Sequence, residues 1–223
     1  MKYPLRLIIL PLLALTLVLS ACANNTIALT EQDGLYINEK VGVSYAIAPA
    51  YYEPQSVGEP YAMMKLGSIE VTFYHVGDLD PTKWLTEEYS GSATMLVSSD
   101  ITLPDLNGFA PDTIHLCVQS ETVWEFATVT DQAEIDEVVR VYTEGESVSH
   151  PGMNPDMTLR FKFSSSAYPD IYYNLICLDY GDSRYLYDRE TKRCVEIGDL
   201  LSKYIDGKSV TTAAPDTTAE PNA

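Results

Sequence analysis

Positive charge is scarce in this chain. Only 14 Lys and Arg stand against 32 Asp and Glu, and between residues 22 and 139 the only cations are Lys40, Lys65 and Lys83. A field of that sign repels phosphate backbones and anionic headgroups over a Debye length of about 8 Å, which argues against nucleic-acid binding. It attracts a cationic partner, such as a basic protein face. Metal-ligating residues are also few: three His and four Cys, with no CxxC and no HxxxH. Zinc needs three or four convergent ligands, so neither a metal nor another cofactor is expected. Beyond Leu19 no apolar run is long enough for a membrane helix, which takes about 20 residues. Tyrosine, by contrast, is abundant, with 16 Tyr against five Phe and two Trp, and 46% of the chain is hydrophobic. That is enough for a core of one domain or two small ones.

The first residues have their own logic. Lys2 and Arg6 precede an apolar stretch from Leu7 to Leu19 that is broken by Pro11. A basic start followed by a short apolar run is the pattern of a secretory signal. The run ends in Leu19-Ser20-Ala21-Cys22. An aliphatic residue, two small residues and a cysteine resemble the lipobox of bacterial lipoproteins. The resemblance implies cleavage before Cys22, a diacylglyceryl thioether on its sulfur, and attachment to the outer, extracytoplasmic face of the cell membrane. Two acyl chains anchor stably where one holds only marginally. On this reading residues 1–21 are the signal, 22–33 a tether, 34–207 the globular part and 208–223 a disordered tail rich in Thr, Ala and Pro.

Within the globular part the prevailing period is two. Met157, Leu159, Phe161 and Phe163 alternate with Arg160 and Lys162, and similar segments lie at 41–47, 69–75, 113–119, 122–129, 171–180, 184–188 and 193–197. These are strands. Three segments have helical spacing. DPTKWLTEEY begins with Asp80 as N-cap and Pro81 at the first helical position. DQAEIDEVVRVYTEG carries Asp131 and Glu134 as a capping box, an apolar stripe of Ile135, Val138, Val139 and Tyr142, and Gly145 at its end. GDLLSKYI is a short third helix capped by Asp199. Tight connections after residue 157 imply antiparallel neighbours. The expected class is α+β: a mainly antiparallel meander with two or three helices packed on one face, either as a single domain or as two subdomains with a break near 120.

No segment carries a recognisable catalytic motif. His115 and Cys117 share a strand face and have the chemistry of a base and a nucleophile, but no third member is adjacent in sequence. Glu87 and Glu88 are neighbours about 100° apart on a helix and do not form an acid/base pair. Cys177 and Cys194, on strands separated by the 184–188 strand in this meander, lie beyond disulfide reach, so a bridge between them would mean a different strand order. The stretch PAYYEPQSVGEPYAMM reads as a Pro-containing loop whose Tyr51, Tyr52, Tyr61 and Met63 could anchor a protein contact. The hairpin and terminal segment YLYDRETKRCVEIGDLLSKYI is similar in style to small surface lipoproteins of Gram-positive bacteria, a likeness that carries no catalytic residues. The reading that follows is a membrane-anchored, non-enzymatic binding or accessory protein, with inhibition as one version. A cell-envelope hydrolase acting on peptide or glycan is the alternative.

Overall fold

A computed structural model describes residues 27–87, 94–119, 123–152 and 154–207. Cys22 and the residues expected to form the signal and the tail lie outside the described residues. The strands in chain order are β1 (Ile27–Gln32), β2 (Leu35–Asn38), β3 (Val43–Ile47), β4 (Tyr52–Pro54), β5 (Val57–Leu66), β6 (Ile69–Val76), β7 (Trp84–Glu87), β8 (Met95–Ser98), β9 (Thr113–Gln119), β10 (Val123–Val129), β11 (Met157–Ser165), β12 (Tyr168–Asp179), β13 (Arg184–Tyr187) and β14 (Cys194–Glu196). Three helices join them: α1 (Leu106–Phe109), α2 (Gln132–Glu144) and α3 (Ser202–Ile205).

The expected α+β meander is corrected. Half of the described chain is strand and 12% is helix, and the first half closes into a seven-stranded barrel in the order β1-β2-β3-β8-β7-β6-β5. A parallel pairing of β1 with β5 seals it, Ala28 opposite Met63 and Leu29 opposite Met64. Leu29, Tyr45, Ala62, Met64, Phe73, Leu85 and Leu96 fill the interior. The 22–33 tether is shortened accordingly, because Ile27–Gln32 is a barrel strand with Leu29 buried.

The second layer is a sheet ordered β10-β9-β11-β12-β13-β14, with β4 added to β12. Its strands pair antiparallel throughout. One face carries Ile114, Leu116, Leu159, Phe161, Phe163, Tyr173 and Leu175, all buried in the main core. The helices cover only part of that face. The barrel wall covers more of it through Val76, Trp84, Met95 and Val97.

This double burial explains the error at DPTKWLTEEY. Asp80 does start a turn, its Oδ1 accepting from the Thr82 amide and hydroxyl. The chain then enters β7 instead of a helix, since Leu85 faces the barrel interior while Trp84 faces the second sheet. A strand buried on both faces loses its alternation and mimics other patterns. The expected helix residues 88–90 lie outside the described residues.

Helix α2 forms where its pattern placed it. Asp131 caps it by accepting from the Ala133 and Glu134 amides, and Ile135, Val138, Val139 and Tyr142 are its buried stripe. Burying such side chains stabilises by about 1.5–3 kcal/mol each. Its C-terminus differs from expectation. Gly145 keeps a negative φ of −62°. The orphan carbonyls are instead met by Arg193, which donates to Tyr142 O, Thr143 O and Gly145 O at 3.0, 3.2 and 2.6 Å. Glycine at 145 leaves room for Val195. Helix α3 is a single turn with Leu201, not Asp199, at its N-cap position.

Candidate functional site

The face of the second sheet that turns away from the main core holds the chemistry. Cross-strand register puts Glu53 on β4, Tyr172 and Asn174 on β12, Arg160, Lys162 and Ser164 on β11, and His115 and Cys117 on β9 along this one face. In a strand such residues alternate with core residues, so Phe161 and Phe163 fix where Arg160, Lys162 and Ser164 must lie.

At one end the face meets the barrel and forms a cleft of about 260 Å³. Glu53 sits at its wall, one carboxylate oxygen 2.6 Å from Arg160 Nη1 and the other 3.0 Å from Lys162 Nζ. All three side chains are less than a fifth exposed, so the pairings are little screened. The Lys162 ammonium also lies over the Tyr172 ring. Asn174 Nδ2 donates to the Tyr51 carbonyl at 3.3 Å, while its buried Oδ1 has no hydrogen-bond partner. Tyr51 stacks on Tyr173 with centroids 4.5 Å apart. Burial raises the Tyr51 hydroxyl pKa, and the carboxylates of Asp188, Glu190 and Asp105 raise it further.

The four residues expected to make partner contacts do not form one patch. The stretch 50–64 is not a loop. It contributes β4 to the second sheet and β5 to the barrel. Tyr51 lines the cleft. Tyr52 is 2% exposed and donates its hydroxyl to Pro104 O at 2.5 Å, so it belongs to the core. Tyr61 packs against the barrel core and meets His75 edge-on. Met63 is half-buried on the outer barrel wall, beside β1. The sequence missed Arg160, Asn174 and Tyr187 at the cleft because they come from strands remote in the chain.

At the other end of the face lie His115 and Cys117, the pair whose chemistry the sequence offered without a third member. The Cys117 thiol donates to the His115 carbonyl at 3.8 Å, and burial raises its pKa. Its thiol form is favoured, and its hydrogen bond goes to the His115 backbone. His115 instead places Nδ1 3.0 Å from Glu125 Oε2 and Nε2 3.3 Å from Ser164 Oγ. The second Glu125 oxygen accepts from the Thr128 hydroxyl. A β-bulge between Glu125 and Ala127 makes this possible. In a regular strand, residues three apart point to opposite faces; the extra residue brings both Glu125 and Thr128 to the His115 side.

Cys117, Cys177 and Cys194 are all free and buried. Cys177 and Cys194 sit on β12 and β14 with β13 between them. Among the described residues no group of three or more His, Cys, Asp or Glu is arranged to hold a metal ion. No family model, curated protein or solved structure matches the chain.

Proposed function

We propose that the protein is a lipid-anchored binding or accessory protein of the extracytoplasmic membrane face, and that the cleft between barrel and sheet receives a cationic side chain of a protein partner. The observation that carries this reading is the concentration of hydrogen-bond acceptors around Tyr51. Asn174 Oδ1 is buried without a donor, and Asp188 and Glu190 line the same cleft. An ammonium or guanidinium group supplies the donor that Asn174 Oδ1 lacks and a counter-charge to Glu190 and to Asp188, whose oxygens already accept from the Glu190 amide and the Thr191 hydroxyl, and the Tyr51 and Tyr187 rings offer it apolar and cation–π contact. The surplus of acids over the whole chain steers such a partner and raises its association rate. The lipobox supports the anchor, with Cys22 as the acylated residue.

The test is calorimetric titration of the acylated full-length protein, in detergent, with an oligolysine peptide. Saturable binding that weakens with salt and is lost in Tyr51→Ala supports the reading. Binding that Tyr51→Ala leaves unchanged, or no binding at low salt, refutes it. Metabolic labelling with an alkyne fatty acid tests the anchor, and incorporation that persists in Cys22→Ala rules out acylation there.

A further inference from the structure

Ser164, His115 and Glu125 have the connectivity of a nucleophile, a base and the group that orients the base. The Nδ1–H tautomer of His115 donates to Glu125 Oε2, leaving the Nε2 lone pair to accept the Ser164 hydroxyl proton. Thr128 holds the remaining Glu125 oxygen, so the carboxylate that orients the ring is itself held. Four side chains from three strands converge, and the β10 bulge is what brings two of them to the right face. Tyr172 closes one side, its ring edge-on to His115 at 5.5 Å. Such constellations are recognised by geometry and role, on any fold.

We propose that Ser164, His115 and Glu125 form an esterase site for short O-acyl esters carried by an extended polyhydroxy polymer. This goes beyond the binding reading and does not rest on the cleft at the far end of the face. Three features select the substrate. Lys162, directly across from His115, is the nearest cation on this face, and its ammonium, already paired with Glu53, offsets an oxyanion less well than a preorganised pair of amides. That suits an ester, whose alkoxide leaves more readily than an amine, over a peptide. Ser164 is half-buried on the sheet face turned away from the main core, which suits an extended carrier and a small acyl group. Between Ser164 and Arg160, about 13 Å along the strand, the face presents Lys162, Tyr172, Asn174 and Glu53, a row of donors and acceptors with an aromatic ring that suits hydroxyl groups.

In the first half-reaction Ser164 Oγ bonds to the ester carbonyl carbon while its proton passes to His115 Nε2. The ester C–O bond then breaks and the leaving oxygen takes that proton, giving a free alcohol and acyl-Ser164. In the second, water gives a proton to Nε2 as its oxygen bonds to the carbonyl carbon. The bond to Oγ breaks, Oγ recovers the proton, and a carboxylic acid is released. Ser164 and His115 are the catalytic residues and Glu125 is a positioning residue.

The test is covalent labelling of the full chain with a fluorophosphonate, read by peptide mapping. The expected result is an adduct on Ser164 whose rate of formation falls roughly 100-fold or more in His115→Ala. Glu125→Gln should slow it too, with partial rescue in Glu125→Asp. No adduct on Ser164 in the wild-type protein overturns the proposal, and this outcome does not depend on any variant folding. An adduct whose rate is indifferent to His115→Ala overturns it equally. The labelling reads Ser164 and the peptide titration reads Tyr51, so either proposal can fail without the other.

Discussion

Arg184 and Asp179 face one another at the β12–β13 hairpin, Nε to carboxylate oxygen at 2.9 Å, with both side chains less than a tenth exposed. The same guanidinium donates to Ser202 Oγ at 2.6 Å and pairs with Asp206, tying the last helical turn to the sheet. Removing one member of a buried pair leaves the other charged and desolvated. Arg184→Ala should therefore cost about 3–5 kcal/mol, read as a shift of the urea midpoint. A loss below about 1 kcal/mol, the range of an exposed pair, would mean that water reaches Asp179 in the folded protein.

The joint between the two layers is sensitive at Gly77. Its φ of +48° is left-handed, and a Cβ there would collide with the Asp170 carboxyl group. Asp170 Oδ2 in turn accepts from the Asp78 amide at 3.2 Å. Gly77→Ala should destabilise by about 1–3 kcal/mol. Asp170→Ala alongside should recover part of that loss, because it removes the clash and leaves only the backbone strain. Equal losses in the single and double variants would exclude the clash.

Asn38 sits fully buried at the end of β2 with no hydrogen-bond partner for either amide atom among the described residues. No bond of ordinary length and angle forms, but the Asn38 side chain is close enough to the Tyr45 and Tyr61 hydroxyls to act against burial on both, burial pushing Tyr45 up to about 12. An unsatisfied buried amide costs the desolvation of its polar atoms. Asn38→Leu, similar in shape, is expected to raise stability by about 1–3 kcal/mol. A lower melting temperature in this variant would show that the amide is bonded in solution.

Asp112 gives an acid-dependent term. Burial acts to raise its pKa, but the Ser166 amide at 2.7 Å, the Ser166 hydroxyl and the Thr113 hydroxyl outweigh it and hold the carboxyl below its usual range. A folded pKa below the unfolded one adds stability that is present above the unfolded value, about 3.9, and is lost as pH falls through the folded value. Asp112→Asn should lower stability near neutrality and make the acid limb of the stability curve shallower. Parallel curves for the two proteins would sink the assignment.

The thiols offer a fifth check. Burial pushes Cys177 up to about 12, helped by Asp179, and also raises Cys117 and Cys194. Thiolate is the reactive form. The native protein should resist alkylation, and the urea-denatured, unreduced protein should yield three thiols from these positions. A yield of one would reveal a disulfide and displace β13 from between β12 and β14.

What the sequence alone determined is local. Strand β11 is written in Leu159, Phe161 and Phe163, and helix α2 in its Asp131 cap and four-residue stripe, because side-chain period and capping act within a few residues. The close spacing of the strands after residue 157 likewise dictated antiparallel neighbours. What the tertiary structure decided is non-local. Barrel closure depends on Ala28 meeting Met63, a parallel pairing with no signature in either segment. The fate of Trp84–Glu87 was settled by having a barrel on one side and a sheet on the other. His115 was visible as a candidate base, but its neighbours were not. Ser164 lies on another strand, and Glu125 reaches the same face beside Thr128 only through a bulge that shifts the period by one residue. A sequence records which residues alternate. Which faces meet, and where the alternation slips, is decided by packing between segments far apart in the chain.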